Sequence, residues 1–75
     1  MDFVHKAGVR IEHWISHNDH HLEDYETFAT ELESAGKAES AKHIREMILH
    51  VARTTECLRK AFRALGGDRR KEENA

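Results

Sequence analysis

The chain has 75 residues, one cysteine and no proline, and its 14 acidic and 12 basic side chains give a net charge of −2. This length allows one small domain, and a single cysteine excludes an internal disulfide. The core of so short a chain contributes only about 3–5 kcal/mol to stability, so oligomerisation or a bound metal is expected to supplement it.

The charges are divided unevenly along the chain. Residues 1–35 carry eight acidic and two basic side chains, a net −6, whereas residues 37–65 carry seven basic and three acidic, a net +4. Segments of opposite sign attract each other rather than a phosphate backbone, so we expect no nucleic-acid binding. The sequence also has no long apolar run and no secretory signal at its start, which predicts no membrane insertion and a cytoplasmic location.

The first predicted element is a helix over about residues 2–35, with Asp2 as the cap of its first turn. Its core-facing positions alternate steps of three and four, which is the heptad pattern of a packed helix. This seam consists of Val4, Gly8, Ile11, Ile15, Asn18, Leu22, Tyr25, Ala29 and Leu32. Three further residues recur seven apart beside the seam and form an aromatic shoulder: Trp14, His21 and Phe28. The apolar stripe is therefore wide enough to contact more than one neighbouring helix.

Gly36 predicts the end of the first helix, because glycine readily takes the left-handed conformation that closes a helix. A turn at about residues 36–37 leads to a second helix over about residues 38–65, and such a short connection makes the two helices antiparallel. The seam of the second helix consists of Ala41, Ile44, Ile48, Val51, Thr55, Leu58, Phe62 and Leu65. Gly66-Gly67 is expected to end this helix, so the hairpin domain covers residues 1–67 and the charged residues 68–75 form a disordered tail.

The expected fold is therefore all-α, an antiparallel helical hairpin. Pairing the helices about Gly36 places position i opposite about position 72 minus i, so the polar seam residue Asn18 lies level with Thr54 and Thr55. An asparagine there either fixes the register of the helices or orients a neighbouring histidine. One hairpin cannot cover the whole apolar stripe, so we predict a homodimer, a four-helix bundle with a shared core.

Four of the seven histidines lie within nine consecutive residues of the first helix. Imidazole is the commonest metal ligand, and helical residues three or four apart lie on one face about 5–6 Å from each other. His17 belongs to three such pairs, whose other members are His13, His20 and His21. His50 on the second helix lies near the height of His21. We predict His17, His21 and His50 as the main metal ligands and His13 or His20 as extra ones.

Other residues near this cluster have two interpretations each. Asn18, Trp14 and Asp24 are predicted to support the ligands, but Trp14 also suits a core or dimer anchor. The alternative for the histidines is a solvated, titrating face, or core packing for His21. His5 and His43 are expected at the surface, with His43 in reach of Asp24, and Cys57 is expected to be a buried free thiol.

Ligation by imidazoles alone suits zinc, nickel, copper or cobalt. The cluster lacks the glutamate of a His-Glu-x-x-His peptidase, and no serine or cysteine nucleophile lies beside a paired base, so we do not expect an enzyme. A haemerythrin-like di-iron bundle is a second alternative. It is weakened because Glu26 and Glu46 fall outside the seams, whereas such bundles project their carboxylates inward.

The string from His13 to His21, followed by Tyr25, a glycine turn and a second amphipathic helix, resembles a small prokaryotic, uncharacterised helical domain with a His-Trp-x-x-His-Asn-x-x-His signature. The resemblance covers about residues 10–66, and its signature positions are His13, Trp14, His17, Asn18 and His21. It implies nickel or cobalt handling, whereas His20 and His50 depend on the spacing argument alone.

The expected function is that of a small accessory protein that binds nickel, cobalt or zinc, with a metal-handling protein as partner. The main alternative is a structural or interaction protein, a helical dimer without bound metal.

Overall fold

The structure is a computed structural model that describes the backbone of residues 2–74 and the side chains of residues 2–66. It contains two helices, α1 (Phe3–Ser34) and α2 (Ala38–Asn74), which pack against each other as an antiparallel hairpin. The predicted all-α hairpin is confirmed, and its assembly into a four-helix bundle stays a prediction. Over the described residues, neither helix contains an apolar stretch of membrane-spanning length.

Both ends of α1 are closed by local hydrogen bonds. Asp2 caps the first turn as predicted, because its Oδ1 accepts a 2.9 Å hydrogen bond from the backbone N–H of His5. At the other end the Lys37 N–H donates to the Leu32 carbonyl over 2.8 Å. Gly36 has a φ of +80°. This is the glycine-dependent closure that the sequence predicted, and it reverses the chain within three residues.

The end of α2 differs from the sequence-based prediction. The helix continues through Gly66 and Gly67 to Asn74 instead of ending near residue 65. A glycine inside a helix costs about 1 kcal/mol relative to alanine but removes no hydrogen bond, and no proline follows to stop the helix. The backbone of residues 68–74 belongs to α2, which does not agree with the predicted disordered tail, and the side chains of these residues lie outside the described part of the chain.

The two seams form the contact between the helices. Ala29 and Ala41 are fully buried, and Thr55 is the buried polar residue of the seam. The Thr55 hydroxyl donates to the Val51 carbonyl over 3.0 Å, so it needs no partner on α1. The remaining predicted seam residues are half-buried except Val4, which is exposed. Ala29 and Ala41 lie on either side of the turn, and their small side chains let the two helices approach closely there.

Among the side chains that the structure describes, two ion pairs join the acidic α1 to the basic α2. Arg59 Nη2 donates to Asp19 Oδ2 over 2.8 Å, and both Nη atoms of Arg45 donate to Glu33 over 3.1 Å. This agrees with the attraction expected from the uneven charges. Winding α1 at 100° per residue places Asp19 and Glu33 on one side of its seam and the aromatic shoulder on the other. One side of the hairpin is thus held by ion pairs, and the other presents apolar rings.

The hairpin leaves much of its apolar stripe in contact with solvent. Among the described residues, no large side chain is fully buried. Trp14 is 47% exposed and Phe28 is 48% exposed, so each aromatic ring of the shoulder has an uncovered face. A further helix packed there would bury both rings.

Candidate metal centre

Aromatic rings follow one another along α1 at intervals of one helical turn. The ring centroids of His13 and His17 are 6.0 Å apart and those of His17 and His21 are 4.4 Å apart. Tyr25 continues the series, with its ring nearly parallel to that of His21 at 5.6 Å. The spacing of four residues produces this ladder, because each ring lies above the ring one turn earlier.

The closest contact in the ladder joins two potential ligand atoms. Nε2 of His17 and Nε2 of His21 are 2.9 Å apart, a hydrogen bond in which one ring donates and the other accepts. His17 is exposed and His21 is half-buried, so the pair is open to solvent on one side. A cation that replaced the shared proton would find two nitrogen lone pairs directed at the same region.

A surface groove of about 210 Å³ surrounds this pair and is called here the histidine groove. It is lined by His13, Ser16, His17, His20, His21 and Asp24. The structure thus brings together four of the five predicted ligands and Asp24. Trp14 and Asn18, which were predicted to support the ligands, are outside this lining.

His50 is the predicted ligand that the structure does not bring into the groove. It is exposed on α2, and its backbone carbonyl accepts a 3.0 Å hydrogen bond from the Thr54 hydroxyl. Within the described residues, no group of three or more histidine, cysteine, aspartate or glutamate side chains has an arrangement that could hold a metal ion.

Two residues outside the cluster can be compared with their sequence-based interpretation. His43 is exposed as predicted, and its ring contacts two acidic residues of its own helix rather than Asp24, Glu39 at 3.4 Å and Glu46 at 3.1 Å. Residues three and four positions away are simply nearer than any residue across the hairpin. Cys57 is exposed rather than buried. It lies two residues after Thr55 and is therefore turned about 200° away from the seam.

Some members of the site were not predicted. Tyr25 had been placed only in the seam, although its spacing of four from His21 also puts the two rings in contact. Ser16 also lines the groove, between His13 and His20, although a serine at this position does not indicate a role in the site. The carboxylates considered for a di-iron centre, Glu26 and Glu46, are exposed and do not line the histidine groove.

The fold and the groove together define a class: a small, all-helical hairpin with a histidine-rich face on its first helix. A family model described as Domain of unknown function (DUF8180) matches residues 7–65, and the chain belongs to this family. The match includes the turn and the whole histidine groove. No curated protein and no solved structure matches the chain.

Proposed function

We propose that the protein is a small metal-binding accessory protein that holds Ni²⁺, Co²⁺ or Zn²⁺ through histidines of α1. The observation that carries the proposal is the 2.9 Å separation of the His17 and His21 Nε2 atoms. Two nitrogens, each about 2.0–2.1 Å from one metal, lie about 2.9 Å apart when they subtend about 90° and about 3.4 Å apart at a tetrahedral angle. The two nitrogens are therefore close enough to bind one ion, but 2.9 Å is also the length of an ordinary hydrogen bond and does not select among the three metals.

The other groove residues offer further donors for the same ion. His13 and His20 are exposed, so their rings can change rotamer at little cost. Asp24 lies four residues after His20 and can accept a hydrogen bond from a ligating imidazole, which fixes the ring and raises its basicity. An exposed groove of this kind suits a protein that transfers its metal to a partner, because the ion stays accessible.

We also propose that the protein is a homodimer in which two hairpins form a four-helix bundle. Among the described residues, Trp14 is 47% exposed, Phe28 is 48% exposed and no large side chain is fully buried. Aromatic rings exposed in this way are typical anchors of a protein interface. A second hairpin on the aromatic shoulder would cover both rings.

A structural or interaction protein without metal is the second candidate function. The observation that favours it is the same exposed apolar surface, the aromatic shoulder with its half-exposed Trp14 and Phe28. Such a protein would use the helical stripe to bind its partner, and its histidines would only be solvated.

Thermal unfolding in the presence of metals separates the two candidates. Tag-free protein is heated with Ni²⁺, Co²⁺ or Zn²⁺ at about a hundredfold excess over the Kd, where binding to the folded state alone stabilises by roughly 2.7 kcal/mol. For a domain of this size the Tm should rise by about 10–20 °C. An unchanged Tm with all three metals would contradict metal binding and support the structural candidate.

A further inference from the structure

We infer that one metal ion is shared by two copies of the chain, each of which contributes its His17–His21 pair. This inference rests on the proposed metal binding and identifies the source of the missing ligands. A single chain offers two nitrogens at the separation of a chelating pair, and no three-donor group among its described residues. Transition metals held by imidazoles take four or more ligands, so a second pair completes the site.

The aromatic shoulder has the symmetry that such sharing requires. Trp14 lies seven residues before His21 and Phe28 lies seven residues after it, about 10.5 Å away in each direction along α1. When two copies of α1 pair antiparallel about a two-fold axis at His21, each Trp14 lies opposite the partner's Phe28. His21 then lies opposite the partner's His21. A two-fold interface is self-complementary in this way, and large aromatic side chains are its usual anchors.

The position of His21 along α1 also fits this arrangement. The helix runs from Phe3 to Ser34, so an axis at His21 lies close to the middle of α1 and lets the two copies overlap along most of their length. His17 is one turn earlier, and its Nε2 already meets that of His21. Because the partner helix runs in the opposite direction, its own pair approaches the axis from the other side. Four imidazoles then surround one point.

A second copy is the occupant that the hairpin surface favours. On the opposite side of the α1 seam, Asp19 and Glu33 already form ion pairs with Arg59 and Arg45 of the same chain. These side chains therefore need no partner on a second copy. The shoulder side has two half-exposed aromatic rings, which a second copy would cover. Its pattern of an aromatic residue, a histidine and a second aromatic residue is the same in both chain directions, so it can face an antiparallel second copy of itself.

The first test measures stoichiometry and mass on the unmodified chain. Tag-free protein is titrated with NiCl₂ by calorimetry, and its mass is followed by light scattering with and without Ni²⁺. The shared site predicts one Ni²⁺ per two chains and a dimer in the loaded protein. One Ni²⁺ per chain would overturn the sharing but leave metal binding standing, whereas no binding would overturn both proposals.

A matched pair of variants tests whether the partner contributes ligands. Phe28 does not line the histidine groove, so Phe28→Lys should lower Ni²⁺ affinity only by separating the two copies. We expect the Ni²⁺ affinity to fall about a hundredfold, because the His17–His21 pairs of two separated chains no longer bind the same ion together. Leu49→Lys places the same charge at another exposed apolar position and should leave mass and affinity unchanged.

Retention of wild-type Ni²⁺ affinity by a monomeric, helical Phe28→Lys protein would overturn the inference. Circular dichroism of both variants confirms their helix content. Should Phe28→Lys fail to fold, the stoichiometry of the unmodified chain decides the question alone.

Discussion

His17 occupies the centre of the ladder of rings on α1. His13 and His21 lie one turn before and after it, and the Nε2 atom of His21 is 2.9 Å from its own. The sequence predicts that these residues lie close together, because a helix places residues four apart on one face. It does not predict the orientation of their rings, since that depends on the side-chain rotamers that exposed residues adopt.

Replacing His17 by alanine should remove most of the metal affinity. His17 is the member common to all short-range histidine pairs, so His17→Ala leaves His21 without its partner nitrogen. His5→Ala is the matched control, because His5 uses only its backbone N–H in the cap of α1 and lies outside the histidine groove. Calorimetric titration with Ni²⁺ should show a loss of at least about tenfold for His17→Ala and little change for His5→Ala. Equal losses would contradict the proposed ligand pair.

Residues outside the periodic pattern were the hardest to place from sequence. Nothing near Cys57 in the sequence indicated whether its side chain is buried. Helix winding turns this side chain away from the seam, and it is exposed. The contacts of His43 are set by acidic residues on its own helix rather than by the hairpin. His50 lies on the second helix, where its side chain is exposed and does not line the histidine groove.

At the scale of the elements, the two seams and the turn were the most predictable features. The seam follows from a period that both helices keep without interruption, and the turn follows from the glycine that closes α1. The end of α2 was not predictable from Gly66-Gly67, because a glycine pair weakens a helix without removing its hydrogen bonds. To predict the Asp19–Arg59 and Glu33–Arg45 pairs, the register of the hairpin must be known. The uneven charge indicated only that an acidic α1 would face a basic α2.

The turn should be the position least tolerant of a side chain. Gly36 has a φ of +80°, so Gly36→Ala should destabilise the fold by about 1–2 kcal/mol. Gly8→Ala is the control, because a Cβ there meets Leu65 Cδ2 at 3.7 Å and Phe62 Cε1 at 3.9 Å, which are ordinary contacts. This helical substitution should stabilise by about 0.5–1 kcal/mol. Urea unfolding at one protein concentration measures both, and a Gly36→Ala protein as stable as wild type would contradict the described turn.

At the scale of the whole molecule, the hairpin has two unlike sides. One side is joined by ion pairs between the acidic and the basic helix, and the other carries the aromatic shoulder with the histidine groove at its edge. The sequence predicted the hairpin and the wide apolar stripe, but the separation of these sides became visible only with the inter-helix contacts. Dimerisation and metal binding would therefore use the same side of the molecule.

The most direct measurement is X-ray absorption at the nickel edge of Ni²⁺-loaded, tag-free protein. Ligation by the groove histidines predicts nitrogen scatterers at about 2.0–2.1 Å, together with the outer carbon signals of imidazole rings. The imidazole signals should weaken in a His17→Ala/His21→Ala protein, which keeps only His13 and His20 as imidazole donors in the groove, and should be unchanged in His43→Ala. A spectrum with oxygen neighbours only, or imidazole signals that the double substitution leaves undiminished, would contradict metal binding by the His17–His21 pair.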